Sequence, residues 1–329
     1  MVIYNKMKVI QRSAHGYAQD PTKNLGFESF EGQGSDDVAL ITAAFDQAAG
    51  CWDQFSMSRP EIDRVKEMRV VRLEFEEPNK FFIQEDFEAY DGDFHKVLTL
   101  CPYTAEYLNE LQGIERRIPI FFPFNEAFIP RNKEKRYDII YTGHLHPKPI
   151  MRDIKTISRF DYRLVSNSKH RLVTDHGVGY PEKLNLISQS KITLTHNLLY
   201  PTMRHIFNVR KYPQWRANKA FAQFPSMIGV LKRVIAGLDI EVPQLKSRVF
   251  EAAFCRSLIL CKRDCFGIIE RYFTPGEEFV YYESGTLSQT IDCILKDYDA
   301  YLPIIDKAYN RAVREYTTSR FFEKYLKFI

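Results

Sequence analysis

The sequence contains no long hydrophobic run and no glycine-rich fingerprint. No stretch approaches the roughly 18 consecutive apolar residues that cross a bilayer, and the first residues form no apolar signal segment. The pattern GxGxxG, with which a strand and a helix bind a dinucleotide, follows none of the expected strands. We therefore expect a cytoplasmic protein that is neither secreted nor inserted in a membrane.

Cysteine pairs suited to metal or redox chemistry are also missing. The chain has no CxxC spacing, and several cysteines lie in apolar runs, where a reduced thiol behaves as a small hydrophobic side chain. Cys261 and Cys265 have no histidine nearby, whereas a structural zinc site needs about four well-spaced ligands. We expect no disulfide and no metal. The six cysteines are Cys51, Cys101, Cys255, Cys261, Cys265 and Cys293.

Length and composition are those of a soluble globular protein. The 329 residues suggest roughly two domains, and 45% hydrophobic with 27% charged residues is ordinary for such chains. A net charge of +4 over this length is too small to indicate nucleic-acid binding by itself.

The N-terminal third alternates between expected strands and expected helices. Residues 36–49 begin with acids and carry an apolar stripe, which predicts a helix, and residues 104–111 predict a second one. This alternation predicts a small, irregular Rossmann-like domain that ends near residue 125. The expected strands are 8–11, 68–75, 96–101 and 118–122.

A linker at 122–135, bracketed by two prolines and followed by a charged run, separates this part from a second α/β domain. A strand at 137–142 then leads into Gly143 and a helix at 149–159. The regular spacing predicts one continuous α/β domain. Its next expected elements are strands at 162–166, 171–174 and 191–197 and a helix at 181–190.

The stretch 246–282 joins a charged helix, a buried strand and an acidic turn. Phe250, Ala253 and Phe254 have the i, i+3, i+4 spacing of a helix face that packs into a core. Strands are expected at 257–261 and 279–282. In such a parallel unit, strand ends lie beside helix starts, an arrangement that favours ligands carrying phosphate.

This stretch resembles the C-terminal half of the nucleotide-sugar site of GT-B glycosyltransferases, especially the CgeB-like group. That group has a K-x-R-x-F-E helix, an apolar strand and an E-x-x-F-x-P-G-x-E loop. The matching residues are Lys246, Arg248, Phe250 and Glu251, then Glu270, Phe273, Pro275, Gly276 and Glu278.

The resemblance implies an α/β fold with two Rossmann-like domains that face a central cleft. Residues 1–125 would form the acceptor domain and residues 126–315 the donor domain. Residues 316–329 would form a helix that crosses back to the first domain, so that Tyr316, Phe321 and Phe322 contact both. Plain packing at the C-terminus is an equal alternative for these three residues.

The resemblance also implies a donor site that needs neither metal nor cofactor, and sugar transfer with retention. Lys246 and Arg248 would stabilise the leaving nucleoside diphosphate, since an arginine fork grips phosphate oxygens. Glu251, as a catalytic residue, and Glu270 would bind hydroxyls of the sugar or ribose. The other implied donor residues are Gly143, His144 and Lys148 at the diphosphate, Gly177 and Val178 at the nucleobase, and His196 and Asn197 at a strand end.

Two features of the helix leave alternatives open. Arg248 and Glu251 are three residues apart, so they could simply pair with each other on the helix surface. Arg256 also stands where the family usually has glycine, and its side chain could close the donor cleft. In that case the chain would be a catalytically silent homologue that acts as a binding or assembly partner.

The acceptor side has weaker signals. Glu76 and Glu77 precede Pro78 at the end of an expected strand, and either acid could deprotonate an acceptor hydroxyl. His15, before Gly16, is a second catalytic candidate. A solvated acid and a polar-loop histidine without catalytic function are the alternatives.

Asp91-Gly92-Asp93 matches the Asp-x-Asp with which GT-A glycosyltransferases hold a metal on the donor diphosphate. Here the expected strand follows the acids instead of preceding them. We interpret the motif as a turn.

Residues 200–244 form an insertion that a minimal domain would not need. Between residues 201 and 240, seven lysines and arginines face one acid, Asp239, and five aromatic residues are interleaved with them. One interpretation is peripheral contact with phospholipid on the inner face of a membrane, or with an anionic acceptor. A solvated helical pair is the alternative, and nucleic acid is the weakest candidate.

The expected partners are therefore a nucleotide sugar and an acceptor that is a glycan, a lipid-linked sugar or a small molecule. A basic protein that binds nucleic acid or membranes through residues 201–240 remains a rival.

Overall fold

The computed structural model describes residues 8–10, 19, 24–30, 38–42, 68–75, 77–78, 94–131, 134–210, 217–223 and 226–327. They form two parallel five-stranded sheets, which succeed one another along the chain. A two-stranded antiparallel ribbon joins the two ends of the insertion.

The first sheet has the strand order β1-β2-β3-β4-β5, so each strand pairs with its neighbours in sequence. The inner strand β3 is almost wholly buried, and its two buried charged side chains, Arg72 and Glu74, form an ion pair at 2.9 Å. The strands are β1 (Lys8–Ile10), β2 (Val38–Thr42), β3 (Arg69–Glu74), β4 (Lys96–Thr99) and β5 (Arg117–Pro119).

The second sheet has the order β12-β11-β8-β6-β7. The chain runs from β6 to β7 on one side and then returns to β8 on the other side of β6. This reversal creates a switch point between β6 and β8, where a crevice opens beyond the carboxyl ends of the strands. The strands are β6 (Tyr137–Thr142), β7 (Tyr162–Val165), β8 (Ser190–Thr195), β11 (Leu258–Lys262) and β12 (Val280–Tyr282).

Helices cover the sheets and build the insertion, whose ribbon is β9 (Leu198–Leu199) with β10 (Val242–Pro243). No helix in the described ranges is long and apolar enough to cross a membrane. The helices are α1 (Pro102–Gln112), α2 (Lys148–Ile157), α3 (Tyr180–Ser188), α4 (Met203–Arg210), α5 (Met227–Ile235), α6 (Ser247–Phe254), α7 (Leu287–Lys296), α8 (Leu302–Glu315) and α9 (Thr318–Phe321), which continues as a π-helix (Phe322–Leu326).

The end of the chain returns to the first sheet, as the crossing-helix interpretation of Tyr316, Phe321 and Phe322 expected. The Phe124 amide donates to the Tyr316 carbonyl at 3.0 Å, and the Thr318 amide donates to the Phe124 carbonyl at 2.8 Å. Phe321 packs on Phe27 with ring centroids 5.4 Å apart. One buried apolar cluster, against which Phe322 also packs, therefore runs from the first sheet to helix α6 and the C-terminus.

Two expected elements differ from the structure. Residues 38–42, placed in a helix at 36–49, form strand β2, which pairs with β1 and β3. The run Val-Ala-Leu-Ile-Thr suits a buried strand as well as a helix face, so its pairing with neighbouring strands determines that it forms a strand. Residues 171–174, expected as a strand, form turns that add only one bridge, between Val165 and Asp175.

Candidate functional site

The carboxyl ends of β6 and β8 meet at the switch point, and helix α6 begins beside them. Asn197, which follows β8 and is fully buried, fixes this start of the helix. Its Oδ1 accepts a hydrogen bond from the Lys246 amide at 3.1 Å, and its carbonyl accepts one from the Gln244 amide at 2.8 Å. Asn197 therefore positions the helix whose first turn carries Arg248.

The Arg248 guanidinium lies against Gly143, the first residue after β6. A Cβ atom at Gly143 would collide with Arg248 Nη2, and the Gly143 φ of +138° also favours glycine. The guanidinium carbon lies 4.8 Å from the centre of the Tyr141 ring. Only glycine at position 143 therefore allows this close approach.

Arg248 has no acidic partner among the described residues, and it does not pair with Glu251. Its positive charge sits in the first turn of α6, where the helix dipole already disfavours cations. A half-buried cation in this position becomes favourable when an anion binds there.

Glu251, one turn further along α6, is only 1% exposed. Its Oε1 forms an ion pair with Lys183 Nζ at 2.9 Å, and Lys183 also donates to the Gln19 carbonyl at 3.2 Å. The second oxygen, Oε2, is buried without any hydrogen-bond partner in the described structure. A buried carboxylate oxygen of this kind is costly unless a ligand donates to it.

His196 is buried beside Asn197 and contacts Asp153 and Tyr282. Its Nε2 lies 2.9 Å from Asp153 Oδ2 and 2.6 Å from the Tyr282 hydroxyl, which donates to Asp153 at 2.8 Å. Burial lowers the pKa of His196, and the hydrogen bond to Asp153 offsets part of this effect. The neutral ring thus links α2, β8 and β12, while its buried Nδ1 has no partner in the described structure.

The loop after β6 and the start of α2 carry two more predicted donor residues, His144 and Lys148. Both are exposed, and Lys148 is the first residue of α2. The predicted nucleobase residues lie before α3: Gly177 is exposed with a φ of +69°, and Val178 is half-buried against the main core cluster. The described structure thus brings Gly143 and Arg248 into contact.

Glu270 lies on the short 3-10 helix Ile268–Arg271 and is exposed. Its Oε1 accepts a hydrogen bond from the Tyr281 hydroxyl at 2.9 Å. Close by, Asp264 follows β11 and accepts bonds from the amides of Phe266 and Gly267, while its Oδ2 is buried without a described partner. Burial raises the pKa of Asp264.

Glu77, the predicted acceptor base, is fully buried in the first sheet. Its Oε2 accepts from the Thr99 hydroxyl, and its Oε1 pairs with Arg117, each at 2.5 Å. A carboxylate with both oxygens engaged and no exposed surface is out of reach of an acceptor hydroxyl, which argues against a base role. His15, Glu76, Asp91 and Asp93 lie outside the described residues.

Arg256 ends α6 at the opposite end from Arg248. Its φ of +51° is left-handed, where the family usually has glycine. The guanidinium lies 3.7 Å from the Tyr309 ring centre and forms an ion pair with Asp306, both on α8. The side chain therefore points to the outer helix α8 and does not enter the crevice beside Arg248.

Sequence reasoning missed the residues that hold the site residues in place. Lys183, Asp153 and Tyr282 were not singled out, although each contacts a predicted residue. One usable signal existed for Lys183, because it shares a face with apolar residues of α3 and is buried with them. In the described ranges no three His, Cys, Asp or Glu side chains converge closely enough to hold a metal.

A family model described as glycosyl transferase-like matches residues 148–327, more than half of the chain. The chain belongs to the glycosyl transferase-like family. No protein with a curated description matches it in sequence. The matched region contains Lys148 and all the candidate donor residues that follow it, whereas Gly143 and His144 precede it.

The chain is similar in structure to Anabaena HepE in complex with UDP and glucose. The TM-score is 0.53 and the sequence identity 9%, over 98% of each chain. A glycosyltransferase from Rickettsia africae gives a TM-score of 0.52 at 12% identity, over 98% of this chain and 97% of that one. At such identities the likeness shows the fold alone. The fold is GT-B, as the resemblance predicted; the CgeB-like subgroup stays a prediction.

The S. aureus TarM complex with UDP has a TM-score of 0.53 at 10% identity and covers 88% of this chain but 54% of TarM. This glycosyl transferase-like chain thus spans about half the length of TarM.

Proposed function

We propose that the chain is a glycosyltransferase that moves a sugar from a nucleoside-diphosphate sugar to an acceptor hydroxyl. The observation that carries this proposal is Arg248, which has no acidic partner in the described part of the chain and is held against Gly143 beyond the carboxyl ends of the second sheet. Structures of the same fold from Anabaena and S. aureus that contain UDP support a nucleoside diphosphate as the anion.

In the proposed reaction the bond between the anomeric carbon and the diphosphate oxygen breaks, and its electron pair stays on the diphosphate. A bond from the anomeric carbon to the acceptor oxygen forms, and the acceptor's hydroxyl proton passes to the diphosphate. Arg248 and the first-turn N–H groups of α6 would stabilise the negative charge as it develops. Lys246, Gly143, His144 and Lys148 are proposed to bind the same group.

Glu251 Oε2, which has no hydrogen-bond partner in the described structure, is proposed to accept a hydrogen bond from a ribose or sugar hydroxyl. Lys183 holds the carboxylate in place. Glu270 is proposed to lie near the ribose, and Gly177 and Val178 near the nucleobase. His196 and Asn197 are proposed to act chiefly by positioning α6 and its neighbours, because both are buried and bonded internally.

Three finer points of the proposal rest on the resemblance to the CgeB-like group: retention of anomeric configuration, independence of metal and cofactor, and the division into domains at residues 125 and 315. The acceptor is proposed to be a glycan, a lipid-linked sugar or a small molecule. A proton NMR spectrum of the product's anomeric signal tests retention, and turnover with and without a chelator tests metal independence.

The test of the function is donor turnover measured by mass spectrometry. Purified protein is mixed with UDP-, GDP-, dTDP- and CMP-sugars, and released nucleotide is quantified. We expect release from one donor, abolished in Glu251→Ala and Arg248→Ala but not in Arg136→Ala, an exposed arginine at the amino end of β6. No release and no nucleotide binding at millimolar concentration would overturn the proposal.

The rival of a catalytically silent binding partner depended on Arg256 closing the cleft. Because that side chain contacts Tyr309 and Asp306 on α8, no observation now favours this rival.

A further inference from the structure

Helix α5 in the insertion exposes a continuous apolar face. Ile228, Leu231 and Ile235 follow one another at intervals of three and four residues, the spacing of one helix face, and Leu238 lies just beyond the end of the helix. Their exposed fractions are 68%, 48%, 84% and 55%, and Val234 beside them is 51% exposed. We call these five residues the α5 face. Large apolar side chains exposed together usually mark a surface that contacts something else.

The opposite side of α5 contacts the rest of the molecule through Val230. Val230 is buried with Ile206 and Phe221 of the insertion and with Tyr107 and Leu108 of α1. Ser226 caps the helix by accepting a hydrogen bond from the Gly229 amide at 3.0 Å. The α5 face therefore has a defined orientation on the molecule.

The insertion that carries this face is rich in basic residues. Seven lysines and arginines and one acid lie between residues 201 and 240. The acid, Asp239, is engaged by Arg152 of α2, while Lys232 on α5 is exposed and has no acidic partner among the described residues. Arg204 on α4 is likewise exposed. A helix with an apolar face and basic neighbours is typical of helices that lie at the surface of anionic membranes.

We propose that the α5 face docks the protein on a bilayer that contains anionic phospholipid. The apolar side chains enter the headgroup region, and Lys232 and Arg204 contact lipid phosphates. Nucleic acid would use the positive charge but leaves the five exposed apolar side chains unexplained. A second copy of this chain would cover the apolar side chains but would bring the same positive charges together.

The insertion connects this surface to the candidate site. Asn218 donates to Thr104 of α1 at 3.2 Å, and strand β10 leads from the insertion within a few residues to Lys246 and Arg248. Docking would hold the membrane on the insertion that leads into the candidate site, and would favour a lipid-linked acceptor. This last step rests on the proposed transfer function, whereas the docking itself does not.

The test is co-sedimentation with sucrose-loaded vesicles, either pure phosphatidylcholine or with about one third phosphatidylglycerol. We expect binding to the anionic vesicles to exceed binding to the neutral ones by about tenfold. The triple variant Ile228→Ser, Leu231→Ser, Ile235→Ser should lose about tenfold in binding to the anionic vesicles. The matched control is Leu302→Ser with Val313→Ser, which removes exposed apolar side chains from α8 and should bind like the wild type.

Lys232→Glu separates the two parts of the surface and should weaken binding about threefold, as should raised salt. Absence of binding to anionic vesicles, or equal binding by the triple variant, overturns the proposal. It is also overturned if light scattering shows a wild-type dimer that the triple variant dissociates without any vesicle binding. Donor turnover by the triple variant in the absence of vesicles should equal that of the wild type, so a failure here is distinguishable from failure of the transferase proposal.

Discussion

Two buried glutamates, one in each half of the molecule, differ in what their oxygens contact. Glu77 in the first sheet accepts from Thr99 and pairs with Arg117, so neither oxygen is left over. Glu251 on α6 pairs through Oε1 with Lys183, while its Oε2 is buried without a described partner. Burial is equal, but only Glu251 retains a bonding position for a ligand.

This difference indicates that a buried polar atom without a hydrogen-bond partner distinguishes a candidate binding residue from a structural one better than burial or charge does. A fully satisfied buried pair holds strands together, and removing one partner leaves a buried charge. An unsatisfied buried oxygen costs stability unless a ligand completes it. Variants at both glutamates and at both ends of α6 can break or sharpen this comparison.

The largest effect is expected at Glu77. Glu77→Ala removes the carboxylate that pairs with the buried Arg117, and should lower the free energy of unfolding by about 3–5 kcal/mol. Urea denaturation followed by circular dichroism measures this loss. Glu134→Ala, at an exposed glutamate paired with Arg136, is the control and should change stability by less than about 1 kcal/mol. A stable Glu77→Ala protein that lost turnover alone would instead make Glu77 a base.

Arg248→Ala should lower donor turnover by about 100-fold or more, because one charge-stabilising donor is worth this much in a preorganised site. The protein should keep its stability, since Arg248 is half-buried and forms no ion pair in the described structure. Steady-state release of nucleotide measures the effect, with Arg136→Ala as the matched arginine. Equal turnover in the two variants would show that Arg248 does not contact the leaving group.

Glu251→Gln should weaken nucleotide affinity by about tenfold, because the amide replaces a charged acceptor with a neutral one. Isothermal titration calorimetry with UDP measures the change, and Glu77→Gln is the comparison. Both variants lose a buried ion pair and should lose stability, but only Glu251→Gln should lose UDP affinity. Equal UDP affinities of the Glu251→Gln and Glu77→Gln proteins would show that Glu251 is no more a binding residue than Glu77.

The smallest effect is expected at Arg256, at the other end of α6. The Arg256→Gly protein should have a free energy of unfolding about 1 kcal/mol higher than the Arg256→Ala protein. Both variants lose the contacts with Tyr309 and Asp306, but only alanine is strained by the left-handed backbone at this position. Thermal unfolding compares the two. Both should retain wild-type turnover; a changed turnover would return Arg256 to the crevice.

Local patterns predicted the second half of the chain well. The strand at 137–142 is found with the same bounds, because it is an apolar run that stops at Gly143. The same logic failed for residues 38–42, whose pairing with β1 and β3 depends on residues distant in sequence. For the candidate site, the resemblance named Arg248 and Glu251, but the choice of Lys183 over Arg248 as the partner of Glu251 is a tertiary contact that helix spacing does not contain.

The most direct test is a crystal structure of the protein with an intact UDP-sugar. We predict that diphosphate oxygens lie within about 3 Å of the Arg248 guanidinium and that a ribose or sugar hydroxyl donates to Glu251 Oε2. UDP bound elsewhere, with Arg248 still stacked on Tyr141 and Glu251 Oε2 still without a donor, would contradict the account.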